Sequence, residues 1–546
     1  MSKHTLVKGA VVLGLAGVFV KLLGAVFRLP LANMISATGM ANYSPAYYIY
    51  SFFLILATAG IPVAISKMVS EARAVGNHYR AHRIFTLATM LMAGIGTVSF
   101  IILFFFAPTI AEAIHNPESA LAMRAISPSL IMVPIMAAYR GYFQGMQNMK
   151  PTAVSQVIEQ LFRVVIGLLA AYLLFSMTKE GFFTNNFDKY ERGAAGANFG
   201  ATAGSFGGLL MILLIYFFSK PVIVRRVETT EHLGCEQGKE ILRKVLIMSV
   251  PITIGAAIMP IINLVDAGMV VRRLQSGSGF SYDEAKNLYG QLSGFVGPLI
   301  NFPQVLTQAV AMSLVPVVAE AFKLKDGMQL RKNVMLGLRM TVIIGFPCAL
   351  GLFALAKPIL LLLYPRQAES AVSAAPILAI MAIGVIFLAI VQTLTGVLQG
   401  VSRQMIPVRN LAIGVIFKVI LTFILTGIPA VNVKGAALGT VAAYATASVL
   451  NIIAVKRYTG ASVDVMKTFG KPFLAALSMG AVVKLFHTIF CGFAGNSIST
   501  LISVFIGVVC YGIMILVTRT VTPEELEILP KGHKLAAIAR KLPGVK

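Results

Sequence analysis

Apolar runs of about twenty residues recur along the whole chain, separated by short polar segments, and each is long enough to cross roughly 30 Å of hydrocarbon. The runs lack the alternation of barrel strands, and hydrocarbon offers no water to satisfy backbone amides, so each is predicted to be a helix. About fourteen are expected. Helix 1 falls near Leu6–Met34 and helix 2 near Ala46–Met68, followed by the basic loop Glu71–Arg83, and helix 3 continues to Ala107. Helices 4, 5 and 6 lie near Ile126–Gln147, Thr152–Ser176 and Ala194–Phe218, with a polar external insert at Thr178–Arg192. Helix 7 spans Val245–Val271, and helix 8, Leu288–Ala319, is broken by Pro298 and Pro303. Helices 9 to 12 occupy Val334–Leu363, Val372–Gly400, Pro407–Ile428 and Lys434–Val455, and helices 13 and 14 fall near Phe473–Phe490 and Ile498–Val517.

The pattern repeats internally. Gly141-Tyr-Phe-Gln144-Gly145, Pro151 and Phe162-Arg163-Val164-Val165 are echoed by Gly396-Val-Leu-Gln399-Gly400, Pro407 and Phe417-Lys418-Val419-Ile420. Gly196 and Gly200 match Gly435 and Gly439, and Val69-Ser70-Glu71-Ala72 matches Val318-Ala319-Glu320-Ala321. Six helices per repeat is an even number, so the two halves enter the membrane from the same side as parallel repeats, and the cleft between them is where substrate is expected. The expected fold class is therefore an all-α membrane protein of about 14 transmembrane helices, two parallel six-helix lobes forming a central cleft plus two C-terminal helices. In residue terms this is an N-terminal lobe over 1–220, a cytoplasmic loop over 221–243, a C-terminal lobe over 244–456, helices 13 and 14 over 457–520, and a basic tail over 521–546.

Composition agrees: 57% of the 546 residues are hydrophobic and 12% charged, which excludes an ordinary soluble domain. The net charge of +25 raises nucleic acid as a partner, but the basic residues are scattered through the loops, so none is expected. They report topology instead. Roughly 29 Lys and Arg fall on the side of the termini against about 9 on the other, which makes both termini cytoplasmic and the protein a multi-pass component of the cytoplasmic membrane. The segment Lys220–Lys244 and the tail after Arg519 are placed against anionic membrane lipids. Cys235, Cys348, Cys491 and Cys510 form no CxxC, and the His78/His82 pair lies among arginines, so no metal is expected. No Walker A loop is present.

Charges retained inside apolar helices mark function, because each needs a partner, a wet cavity or a ligand. On helix 1, Gly17, Lys21, Gly24 and Arg28 share one face. On helix 5, Glu159 and Arg163 are spaced for a helical ion pair, and Arg163 lies roughly 18 Å in from Pro151. Its repeat counterpart Lys418 has no acid one turn before it. Arg140 sits near the cytoplasmic end of helix 4, within reach of headgroups, and Asp266 near the external end of helix 7, where it can answer Arg28. Lys21, Arg28, Arg140, Arg163 and Lys418 outnumber Glu159 and Asp266, so the expected substrate-binding surface is cationic and suits an anion. Lys484 and His487 on helix 13 lie outside the repeats and read as packing or snorkelling residues.

The string Arg140-Gly-Tyr-Phe-Gln144-Gly145, followed by Met149-Lys-Pro151-Thr-Ala-Val-Ser155-Gln156-Val-Ile-Glu159-Gln160-Leu-Phe-Arg163, resembles the stage V sporulation protein B and Gram-positive lipid II flippase group of the multidrug/oligosaccharidyl-lipid/polysaccharide exporter superfamily. Gly24 with Arg28, Ile61-Pro62, Ser66-Lys67, Asn263-Leu-Val-Asp266, Phe302-Pro303 and Leu314-Val315-Pro316 support the likeness, which covers nearly the whole chain. The resemblance implies alternating access and a lipid-linked oligosaccharide cargo, an undecaprenyl-pyrophosphate-linked sugar, with Arg28 on the pyrophosphate and helices 13 and 14 beside the lipid tail. Where Gram-negative relatives carry acids in helices 2 and 8, this chain has Tyr47–Tyr50 and Val296-Gly297-Pro298. The expectation is a flippase and not an enzyme, working as a monomer with no cofactor, driven by a coupling ion or the membrane potential. Two alternatives are an ion-coupled exporter of small cationic compounds on the same fold and a non-transporting scaffold for wall-synthesis enzymes.

Overall fold

A computed structural model describes residues 3–177, 188–228, 237–461, 466–518 and 520, and among these there is helix but no strand. Residues 178–187 of the polar insert, much of the loop after residue 228 and the basic tail lie outside the described residues. The helices are α1 (Lys3–Thr58), α2 (Ile61–Ala74), α3 (His78–Phe105), α4 (Ala107–Ala113), α5 (Ala120–Ile126), α6 (Ser129–Gly145), α7 (Lys150–Ser176), α8 (Lys189–Glu228) and α9 (Gly238–Ser278). They continue as α10 (Tyr282–Gly290), α11 (Gly297–Lys323), α12 (Gly327–Ala354), α13 (Ala356–Leu363), α14 (Ala368–Gly400), α15 (Met405–Thr426), α16 (Lys434–Thr459) and α17 (Lys471–Val517). Among the described residues, twelve helical stretches are long and apolar enough to cross a membrane. Two of them carry an interior residue with non-helical backbone, Ser36 in α1 and Gly495 in α17, where two helices meet end to end. The all-α membrane class expected from the sequence is the one found.

Helix ends differ from the sequence reading where backbones crowd. The expected helix 2 is interrupted at Ala59–Gly60, because a Cβ on Gly60 would strike the backbone of Ser249 on α9, and Pro62 in the first turn of α2 has no N–H to continue the ladder. Helix 8 changes pitch before its prolines. Gln291–Val296 form a π-helical segment, and α11 restarts at Gly297 with Pro298 in its first turn. Helix 9 divides at Leu355 into α12 and α13.

The chain forms two compact units, Met1–Gly294 and Phe295–Lys546. In the first, α2, α3 and α6 enclose a core of Ile65, Ile84, Phe85, Met92 and Tyr142. In the second, α11, α12, α14 and α16 enclose Val318, Leu338, Leu394 and Val397, while α17 packs on α12 through Met479, Val483 and Tyr511. Large apolar side chains such as Phe217, Phe218, Phe493 and Phe505 stand on the outside, as lipid solvation requires.

The sequence repeat is repeated in the packing. A Cβ on Gly141 would meet the carbonyl of Pro62 at 2.7 Å and one on Gly145 that of Ser66 at 2.8 Å; for the counterparts, Gly396 meets Ala311 at 2.5 Å and Gly400 meets Val315 at 3.0 Å. Gly196 lies against Ala170 and Gly200 against Arg163 and Gly167, just as Gly435 lies against Leu425 and Gly439 against Lys418 and Thr422. Side chains at these positions would force the helices apart, so the glycines set the interhelix distance in both units. The turns match as well. Positive φ occurs at Gly76 (76°) and Lys325 (57°), and at Gln147 (59°) and Ser402 (60°). Asn77 caps α3 through the Arg80 N–H, and Asp326 caps α12 through that of Gln329.

Candidate functional site

In the first unit, α1 lies along α7 because both present small residues. Gly24 stands opposite the amide of Gln160, and Gly167 leaves room for the Phe27 ring. This docking puts Arg28 one turn beyond Gly24, with its guanidinium carbon 5.5 Å from the centre of the Tyr47 ring. Tyr43, Tyr47 and Tyr50 occupy one face of α1 at helical spacing, with ring centres 6.0 and 5.9 Å apart. The same three phenols lie within electrostatic reach of Arg163. The aromatic run thus stands between two arginines.

The hairpin of α6 and α7, closed by the turn at Gln147, brings Arg140 level with Ser155 and Glu159. Arg140 donates to the Ser155 hydroxyl (2.9 Å) and to one carboxylate oxygen of Glu159 (3.0 Å), while Arg163 approaches the other at 3.7 Å. The three side chains are only 13, 16 and 17% exposed. Two guanidinium groups share one carboxylate, so the cluster keeps a net charge of +1, and the buried Nε of Arg163 makes no hydrogen bond. Charged groups with spare donors in a poorly solvated setting can bind an anion through charge-assisted hydrogen bonds. The helical Glu159/Arg163 pair expected from spacing is present, with Arg140 as a second and closer partner.

The other expected residues are dispersed. Lys21 lies two turns before Arg28 at an exposed position, beside Gly17, whose Cβ would meet open space. Asp266 on α9 and Arg28 both act electrostatically on Tyr48, which is also coupled to the fully buried Tyr289. Lys418 belongs to the second unit, is 0% exposed and donates to the Thr440 hydroxyl at 2.8 Å. Among the described residues, no three His, Cys, Asp or Glu side chains gather to hold a metal ion.

Sequence reasoning passed over two features. The tyrosine run is visible in its spacing. The ion pair of Lys286 on α10 with Glu118, in the 3₁₀ turn Pro117–Ser119, is not, because its members lie far apart in sequence and share no helix face. Lys286 is 1% exposed, and Asn42 also donates to the Glu118 carboxylate at 3.3 Å.

Comparison with known proteins places this arrangement in a family. A model described as polysaccharide biosynthesis protein matches residues 6–322, and one described as MatE matches residues 293–424. The chain is 28% identical to stage V sporulation protein B of Bacillus subtilis, across 97% of this chain and 98% of that protein. It is 27% identical to the lipid II flippase MurJ of the same organism, across 88% of each. Among solved structures, lipid II flippase MurJ in an inward closed conformation superposes with a TM-score of 0.67 at 17% identity, covering 93% of this chain and 98% of that one. An inward-facing multidrug resistance MATE family transporter superposes with a TM-score of 0.66 at 12% identity, covering 81% and 94%. Apolar helices, fold and sequence agree: the chain is a multi-pass membrane protein that belongs to the polysaccharide biosynthesis protein family.

Proposed function

We propose that the protein is a flippase that carries an undecaprenyl-pyrophosphate-linked cell-wall or polysaccharide precursor, resembling lipid II, from the inner to the outer leaflet of the cytoplasmic membrane by alternating access. The observation that carries this reading is the cationic excess in the first unit, where Arg140 and Arg163 share the one carboxylate of Glu159 and Arg28 stands over the Tyr47 ring. A pyrophosphate diester carries two negative charges on exposed oxygens, and guanidinium forks match it geometrically. In this reading Arg28, whose guanidinium lies over the Tyr47 ring, is the main contact for the pyrophosphate. Glu159 and Arg163 couple movement to charge, and Lys21, Asp266 and Lys418 complete the electrostatics of the path. The two 28%- and 27%-identical relatives, one of them named a lipid II flippase, support the substrate class.

In this reading the two interrupted helical stretches each cross the membrane twice, which gives fourteen crossings and puts both termini in the cytoplasm, against anionic lipids. The protein acts as a monomer, driven by a coupling ion or the membrane potential. The test is complementation of a flippase-deficient strain. Arg28→Ala is expected to abolish rescue at normal expression while undecaprenyl-linked intermediates accumulate on the inner leaflet, and normal growth would remove Arg28 from the mechanism.

The MatE match over residues 293–424 favours a second reading, an ion-coupled exporter of small cationic compounds. That activity needs an acidic binding surface. Accumulation of a cationic dye in cells lacking the gene, with normal wall precursors, would select it.

A further inference from the structure

Within the second unit, the end of α12, the start of α13, the first turns of α14 and the middle of α17 surround a cavity of about 480 Å³. Its polar side chains are Lys357, Lys484, His487 and Thr488, and no carboxylate lines it. The rest of the wall is apolar, including Phe353, Val372 and Pro376. Lys484, His487 and Thr488 are three and four residues apart on α17 and so share one face, while Lys357 comes from a different helix. Three basic groups therefore converge from two helices onto one opening.

Two observations argue against reading them as ordinary snorkelling residues. Among the described residues, neither lysine has a carboxylate partner, although Lys484 sits eleven residues, roughly 16 Å of helix, before the interruption at Gly495. That depth lies inside hydrocarbon, where an unpaired ammonium costs several kcal/mol. In addition, Nε2 of His487 is buried with no hydrogen-bond partner. A buried ring nitrogen in that state marks a place for a missing group.

We infer that this cavity binds the phosphate of a lipid headgroup. An anion answers both lysines and the imidazole at once, and the apolar wall receives the first carbons of an attached chain, which free phosphate would leave uncovered. The chemistry fits a resident glycerophospholipid and a polyprenyl phosphate alike. The site belongs to one unit, is separate from the arginine cluster and does not depend on the transport reading. With the orientation proposed above, it opens toward the outer leaflet.

The test uses the full-length protein in neutral detergent, titrated with phosphatidylglycerol, undecaprenyl phosphate or inorganic phosphate and read by native mass spectrometry. Wild type is expected to hold one lipid that K357Q/K484Q loses, with binding at least tenfold weaker, while K357R/K484R stays within about threefold of wild type and inorganic phosphate neither binds nor competes. Loss of phosphatidylglycerol alone assigns the site to membrane lipid, loss of undecaprenyl phosphate alone assigns it to the polyprenyl chain, and loss of both assigns recognition to the phosphate; each supports the inference. Equal binding of both lipids by wild type and K357Q/K484Q overturns it, as does full competition by inorganic phosphate. Both lysines are exposed, so the fold is expected to tolerate the exchange, and the single variants K357Q and K484Q read the same loss should the double variant aggregate.

Discussion

Neutralising Glu159 tests whether the arginine cluster is built as the geometry indicates. At an effective dielectric of about 20, separations of 3.0 Å to Arg140 and 3.7 Å to Arg163 correspond to roughly 5 kcal/mol of attraction each, before the cost of desolvating three charges is subtracted. Glu159→Gln keeps the shape and one acceptor but leaves two poorly solvated guanidinium groups without their shared anion, so a net loss of about 3 kcal/mol is expected. Arg140→Gln removes one of two partners and the bond to Ser155, at a cost of about 2 kcal/mol in the wild-type background. In the Glu159→Gln background the sign changes. Arg140 there has no carboxylate and faces the like charge of Arg163, so removing it is neutral or stabilising, and the coupling energy is about 2–3 kcal/mol. A double-mutant cycle on reversible unfolding in bicelles measures this quantity. If Arg140→Gln costs the same in both backgrounds, Glu159 does not bridge the two arginines and the description of the cluster is wrong.

Lys286→Met strands Glu118 in a largely buried setting and is expected to cost about 3–5 kcal/mol, whereas the double exchange with Glu118→Gln recovers most of it; equal instability of single and double variants in the same unfolding assay would deny the pair. Gly200→Ala and Gly439→Ala press a methyl against the facing backbone and are each expected to lower stability by about 1–3 kcal/mol, while Gly17→Ala, with open space around it, is neutral or slightly stabilising in a thermal unfolding series. Tyr47→Phe is expected to keep flippase complementation and Tyr47→Leu to weaken it, since the contact with Arg28 uses the ring face; equal activity of the two would show that the ring does not position the guanidinium.

How much of this was legible depended on whether the information was local. Helix existence followed from hydropathy, and the repeat from glycines whose spacing sets close packing, so both appear in the structure in matching contacts. Arg140 was legible only as a basic residue near a helix end. Its partners depend on the turn at Gln147, which sets Arg140, seven residues before it, level with Ser155, eight residues after it, and within side-chain reach of Glu159 one turn farther along α7. The break at Gly60 depends on the backbone of Ser249, and the burial of Lys286 depends on a 3₁₀ turn from another part of the chain. Neither leaves a periodic trace in its own segment. Lys484 and His487 read as solitary packing residues because Lys357 stands on another helix.

The two units share a scaffold but differ in chemistry. Gly200 and Gly439 press on the carbonyls of Arg163 and Lys418 in the same way, so the helix pairs α7–α8 and α15–α16 approach equally closely and present a cation at the same register. In the first unit that cation stands beside a carboxylate shared with Arg140, has an unsatisfied Nε and lies within reach of three phenols. In the second it is fully buried and donates to the Thr440 hydroxyl. A side chain 17% exposed with a spare donor can exchange partners when an anion arrives, whereas one at 0% exposure must first be uncovered. Glycine spacing therefore accounts for the duplicated frame, and the placement of Glu159, with Arg140 opposite it, accounts for why the cation at that register is ion-paired and partly exposed in the first unit and sealed against the Thr440 hydroxyl in the second.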